Sequence, residues 1–212
     1  MRALAVALLA AASCLLVVAG ATAGRSPRLE KIALRPIDTQ RASDAMVKLS
    51  DLASGWKGGA VKANNNSAPD CATQNFSPYT ITGQAESDYH HGVALIISVA
   101  NMFPSGTQSL GDFEVGTRTG TARCEGEAFR KALGVSAKLV SARQTVAPKV
   151  GRRAAAYEFV VEHGKTTYYA DVIQFVRGRA LGAVISVNPG HPLSGPGALA
   201  RIMDGRLQLG TA

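Results

Sequence analysis

Apolar and polar positions change period several times along this chain, and each change marks an element. Between Ala3 and Ala23 no residue is charged: Met1-Arg2 leads into an apolar stretch that ends in the small residues Ala21-Thr22-Ala23. That layout is the layout of a secretory signal, with cleavage expected before Gly24. An uncleaved anchor is the competing reading, because the stretch is just long enough to span a bilayer. Residues 24–36 are basic and contain Pro27 and Pro36, which reads as a linker or loosely docked arm. The folded domain is expected over residues 37–209.

Within that domain, Ala42, Ala45, Met46 and Leu49 fall at helical spacing, with Asp38 or Thr39 as cap and Gly55 as stop. Residues 79–89 alternate like a half-exposed strand, His90-His91-Gly92 reads as a turn, and residues 93–103 form a strongly β-type run suited to the middle of a sheet. Residues 105–133 read as helix, broken near Gly116–Gly120. Four more strand-like runs follow at 136–146, 153–162, 166–177 and 180–188, with hairpin turns at Gly164 and Gly178. A helix closes the chain from Ser194. The order predicts an α+β single domain: a mostly antiparallel sheet of about six strands with three or four helices packed on it. A short echo, ALIISVAN at 94–101 and GAVISVN at 182–188, places a strand feeding a loop and a helix in each half.

Composition narrows the class. With 46% hydrophobic and 18% charged residues, the 212-residue chain is too apolar for an intrinsically disordered protein. Export would remove Cys14 and leave Cys71 and Cys124 in an oxidising compartment, where pairing is the default. Closing a loop of about 50 residues is worth about 4 kcal/mol in the chain-entropy model. The formal charge of +8 is spread over the arm, Lys149/Arg152/Arg153 and Arg177/Arg179. Outside the cytoplasm such a field meets anionic envelope polymers and phospholipid headgroups rather than nucleic acid.

Catalytic signals are weak. His90 and His91 would point to opposite faces of a strand, and His163 and His191 have no ligand spacing around them, so no metal site is expected. Ser54-Gly55-Trp56-Lys57 fits Ser-x-x-Lys, but Gly55 ends a helix where that motif must begin one. Glu86, Asp88, Glu158 and Asp171 sit on strand-like runs and read as solvent-facing alternation. Neither catalytic residues nor a cofactor are expected. If a ligand is bound, Trp56 and the outward member of the Tyr168-Tyr169 pair are the candidates, since aromatic rings offer broad contact surface at a cleft edge.

Asp51-Leu52, Gly55-Trp56, Asp70-Cys71, Thr82-Gly83, Phe103-Pro104-Ser105, Cys124 and the closing Val176-Arg177-Gly178-Arg179 together resemble the PknH-type extracellular sensor domain of actinobacterial receptor kinases. A PsbP-like domain is the neighbouring resemblance. The first implies an α+β sensor fold with a cleft and a disulfide across the first helix–sheet layer. That family often carries two disulfides, whereas the mature chain can make one. The expectation is therefore a secreted, non-enzymatic, sensor-like domain that binds a small ligand or an anionic cell-envelope component, without stable membrane insertion after signal cleavage. An extracytoplasmic hydrolase with no recognisable motif and a ligand-free structural envelope protein are the alternatives.

Overall fold

A computed structural model describes residues 29–63, 71 and 74–209. The expected signal at 1–23 and the first five residues of the arm, 24–28, lie outside the described residues. Among these residues no helix is long and apolar enough to cross a membrane.

The strands are β1 (Lys31–Ile32), β2 (Lys57–Val61), β3 (Thr80–Ile81), β4 (Gly83–His91), β5 (Ala94–Met102), β6 (Lys138–Thr145), β7 (Arg153–His163), β8 (Thr166–Arg177) and β9 (Ala180–Pro189). The helices are α1 (Pro36–Ala45), α2 (Gly106–Gly116), α3 (Thr121–Leu133) and α4 (Pro196–Leu209). Seven strands form one antiparallel sheet in the order β2-β4-β5-β9-β8-β7-β6. The α+β class is as expected; the main sheet has one strand more, β2, than read from the sequence, and β1 and β3 form a separate two-stranded pair. The two echoed segments are β5 and β9, neighbours at the centre of the sheet, with Leu95 opposite Val187.

Alternation along the central strands divides their side chains between two cores, because successive residues point to opposite faces. One face buries Ile96, Ala100, Ile173, Phe175 and Val184 under Ala42 and Ala45 of α1 and Leu199, Ala200 and Met203 of α4. The other buries Ile97, Phe159, Val161, Ala170, Val172 and Val187 under Phe113 of α2 and Phe129 of α3. A sheet covered on both faces explains why β5 and β9 read as nearly continuous apolar runs.

The first helix is shorter than its sequence periodicity suggests. Pro36 starts it, as proline does at a first turn, but it stops at Ala45 instead of continuing to Gly55. Tertiary hydrogen bonds take over there. The Val47 amide donates to Ser98 Oγ at 3.2 Å, and its carbonyl accepts from Tyr89 Oη at 2.9 Å and Ser87 Oγ at 3.3 Å. Beyond a 3₁₀ turn at Leu49–Asp51, the chain enters β2, an edge strand that KGGAV conceals because glycine is depleted in strands. The residues read as a His90–His91 turn continue β4, and the turn itself is Gly92-Val93.

The arm is docked where it is described. Amides of Lys31, Ala33 and Arg35 donate to the carbonyls of Tyr79, Ile81 and Thr82 at 2.9, 2.9 and 2.6 Å, making β1 a parallel partner of β3. Three arginine–carboxylate clamps fasten the helices. Arg179 binds buried Asp38 at 2.7 Å and the Phe103 carbonyl at 2.9 Å. Arg177 grips Asp204 at 2.7 and 2.6 Å, and Arg206 grips Asp51 at 2.7 and 2.8 Å. Arg177 and Arg179 are therefore structural cations as well as part of the basic surplus. Cys71 and Cys124 are joined, with Cα atoms 5.8 Å apart. The bridge ties the segment before β3 to α3, on the face opposite α1, rather than to the first helix.

Candidate functional site

The face under α1 and α4 is apolar at one end of the strands and turns polar at the other. On β9 the same-face series runs Ala180, Gly182, Val184, then Ser186 and Asn188; on β8 it runs Phe175, Ile173, then Asp171 and Tyr169; on β7 Ala156 gives way to Glu158. Register aligns the change. Tyr89, Ile96, Ser186, Asp171, Glu158 and Arg143 lie opposite one another in a single row across six strands. Asn188, Tyr169 and Val160 form the row beyond.

This row holds a connected polar arrangement. Ser186, 1% exposed, donates to Asp171 Oδ2 at 3.3 Å. Arg143 pairs with Glu158 at 2.7 Å, while Asp171 has no arginine or lysine within ion-pair reach among the described residues. Burial and the neighbouring Glu158 charge raise the Asp171 carboxyl above its usual range, against the stabilising Ser186 hydroxyl. Asn188 is buried and donates to the His191 carbonyl at 2.8 Å, holding the loop that leads toward α4. A half-buried carboxylate beside a seryl hydroxyl, an amide and the Tyr169 phenol suits a ligand bearing hydrogen-bond donors, hydroxyl or ammonium. Asp171 and Glu158, expected to face solvent, are both half-buried, lying where the sheet face emerges from under its helices.

The aromatic candidates separate. Trp56 packs against the α1-side core and meets the His91 ring at 5.8 Å between centroids, tilted by 42°. Its position depends on Gly58, whose φ of 135° is a left-handed value and whose missing side chain lets β2 approach the Asp88 carbonyl. Tyr169 is half-buried on the same sheet face, but β9 and β5 lie between its strand and β4. Tyr168 is 4% exposed and packs in the opposite core, so it offers no surface to a ligand.

The other face carries buried acids that sequence reasoning missed. Burial pushes the Glu125 carboxyl up to about 7, although the Gln174 amide donates to it at 3.4 Å. Asp112 is pushed to about 8 by burial and by Glu30, with which it shares a hydrogen bond. The Tyr157 hydroxyl, buried near Glu125, has no hydrogen-bond partner among the described residues and is raised to about 12 by burial and that carboxylate. No group of three or more His, Cys, Asp or Glu residues among the described residues could hold a metal ion.

With this geometry in hand, comparison finds a solved relative in shape. The chain superposes on the crystal structure of the extracellular domain of PknH from Mycobacterium tuberculosis with a TM-score of 0.50, covering 82% of this chain and 98% of that one. The fold is PknH-like. Sequence identity is 8%, so the likeness concerns the course of the backbone and not the site residues. No family model matches the sequence, and no curated protein matches it.

Proposed function

We propose that this chain is an exported, non-enzymatic, sensor-like domain that binds a small donor-rich ligand on the polar end of the sheet face. The supporting observation is the row Ser186–Asp171–Glu158–Arg143: a carboxylate without its own cation, set half-buried where the core would otherwise continue. Unpaired buried charge is costly to folding, and a complementary ligand offsets that cost. Tyr169 and Asn188 flank the carboxylate, and Trp56 stands at the other edge of the same face. Export is supported by the charge-free stretch at 3–23, by the Cys71–Cys124 bridge and by likeness in fold to an extracellular domain.

The test is native mass spectrometry of the protein recovered from its own host, in parallel with Asp171→Asn. A retained small molecule that disappears in the variant, while the disulfide and the folded charge-state distribution persist, is the expected result. A wild-type protein that carries no added mass, and whose melting temperature no host extract raises, defeats the ligand reading.

A further inference from the structure

Three of the large aliphatic side chains left in solvent crowd into six residues: Ile32 is 42% exposed, Leu34 49% and Ile37 60%. Ile32 and Leu34 project from the same side of the docked arm, because the amides of Lys31, Ala33 and Arg35 on either side of them are bonded to the β3 segment. Ile37 follows in the first turn of α1. This strip lies at the end of the sheet where Gly83 abuts the Asp38 backbone and Arg179 binds Asp38, opposite to the end that carries the polar row.

The same end is rich in free cations. Among the described residues Lys31, Arg35, Lys149 and Arg152 form no ion pair, while Asp38, Glu114 and Asp204 are each held by an arginine and Glu30, beside Lys31, is turned to Asp112, with which it shares a hydrogen bond. Arg152 is brought here by its amide, which donates to the Val176 carbonyl at 2.7 Å, and Lys149 stands in the same loop. Arg25 and Arg28 precede the strip in the sequence.

We propose that this end of the molecule is a bilayer-contact surface: Ile32, Leu34 and Ile37 dip into the interface of an anionic phospholipid membrane while Lys31, Arg35, Lys149 and Arg152 meet its headgroups. An aliphatic strip flanked by Lys31 and Arg35, with Lys149 and Arg152 farther across the same end of the sheet, combines what an interfacial anchor needs, each kind alone being too weak. A soluble polyanion would use the cations but leave the aliphatics without a role, which is why the observations favour a lipid surface. The polar row then faces away from the membrane, so ligand binding and membrane contact are independent and either can fail without the other.

The experiment uses the protein recovered after export, in which Cys71 and Cys124 are bridged, with an environment-sensitive fluorophore on Gln40→Cys beside the strip or on Lys165→Cys at the opposite end. Vesicles of equal parts phosphatidylcholine and phosphatidylglycerol are expected to blue-shift the label at position 40 and not that at 165, with reversal by salt. Vesicles of phosphatidylcholine alone should give little shift. Replacing Ile32, Leu34 and Ile37 together by serine should weaken this response about 100-fold in lipid concentration; these side chains are exposed, so the variant folds. Four results overturn the proposal: no shift at position 40, an equal shift at both positions, a blue-shifted label before vesicles are added (cover by the chain's own residues), or a response that the triple substitution leaves intact.

Discussion

At the scale of single residues, the buried carboxyls give the protein a predictable response to pH. Asp112 and Glu125 keep their protons in the folded state to about 8 and about 7, whereas in the unfolded chain both lose them at ordinary carboxyl values. Between those limits the folded state binds more protons, so stability falls as pH rises. Asp38, Asp51 and Asp204 act in the opposite sense. Burial opposes their charge, but hydrogen bonds from Arg179, Arg206 and Arg177 outweigh it and hold these carboxyls low. Their contribution is present above the ordinary carboxyl range and is lost only in acid. Thermal melting should therefore peak near pH 5 and drop by about 5 °C or more by pH 9, and Glu125→Gln should flatten that drop. Arg179→Met is a second residue-scale case. It leaves Asp38, 3% exposed in its side chain, with only the more distant Arg41 at 3.8 Å as counter-charge, and should cost about 3 kcal/mol in urea titration, most of it recovered when Asp38→Asn is added.

Elements were legible to different degrees, for reasons that lie in their surroundings. Helices α2 and α3, with a break between Gly116 and Thr121, and strands β5 to β9 follow their own periodicity, so the reading and the structure agree within a few residues. The end of α1 did not, because Ser87, Tyr89 and Ser98 on distant strands capture the Val47 backbone. Edge strand β2 was hidden in KGGAV, where backbone pairing with β4 rather than side-chain pattern makes the strand. Gly83 tests how closely α1 rides on β4. A Cβ there would overlap the Asp38 backbone, and Gly83→Ala should lower stability by about 2 kcal/mol or more by forcing the helix outward, read as a shifted urea midpoint. The disulfide acts at the same scale. It fastens the segment leading to β3 onto α3, and Cys71→Ser with Cys124→Ser should cost about 3 kcal/mol, with amide exchange accelerating first in that segment and in the adjoining turn of α3.

For the molecule as a whole, the sheet has two ends of different character: a polar row under the loop that leads to α4, and an aliphatic strip with unpaired cations where the arm docks. Asp171→Asn and the triple serine replacement of Ile32, Leu34 and Ile37 should each abolish one binding activity and leave the other unchanged. Neither end could be read from the chain alone. The cysteine inventory, the charge-free stretch at 3–23, the α+β order of elements and the apolar runs of the central strands are local properties, and the amino-acid sequence determined them by itself. Ser186, Asp171, Glu158 and Arg143 lie on four successive strands, and each looks like ordinary strand alternation. Only strand order and register set them side by side, and only helices lying over the rest of that face make their burial unusual. The same holds for Tyr168 and Tyr169, which pattern alone treats as one inward and one outward: with both faces covered, the pleat sends one into each layer. Side-chain period is a property of the strand, whereas which side is wet is decided by what packs upon it.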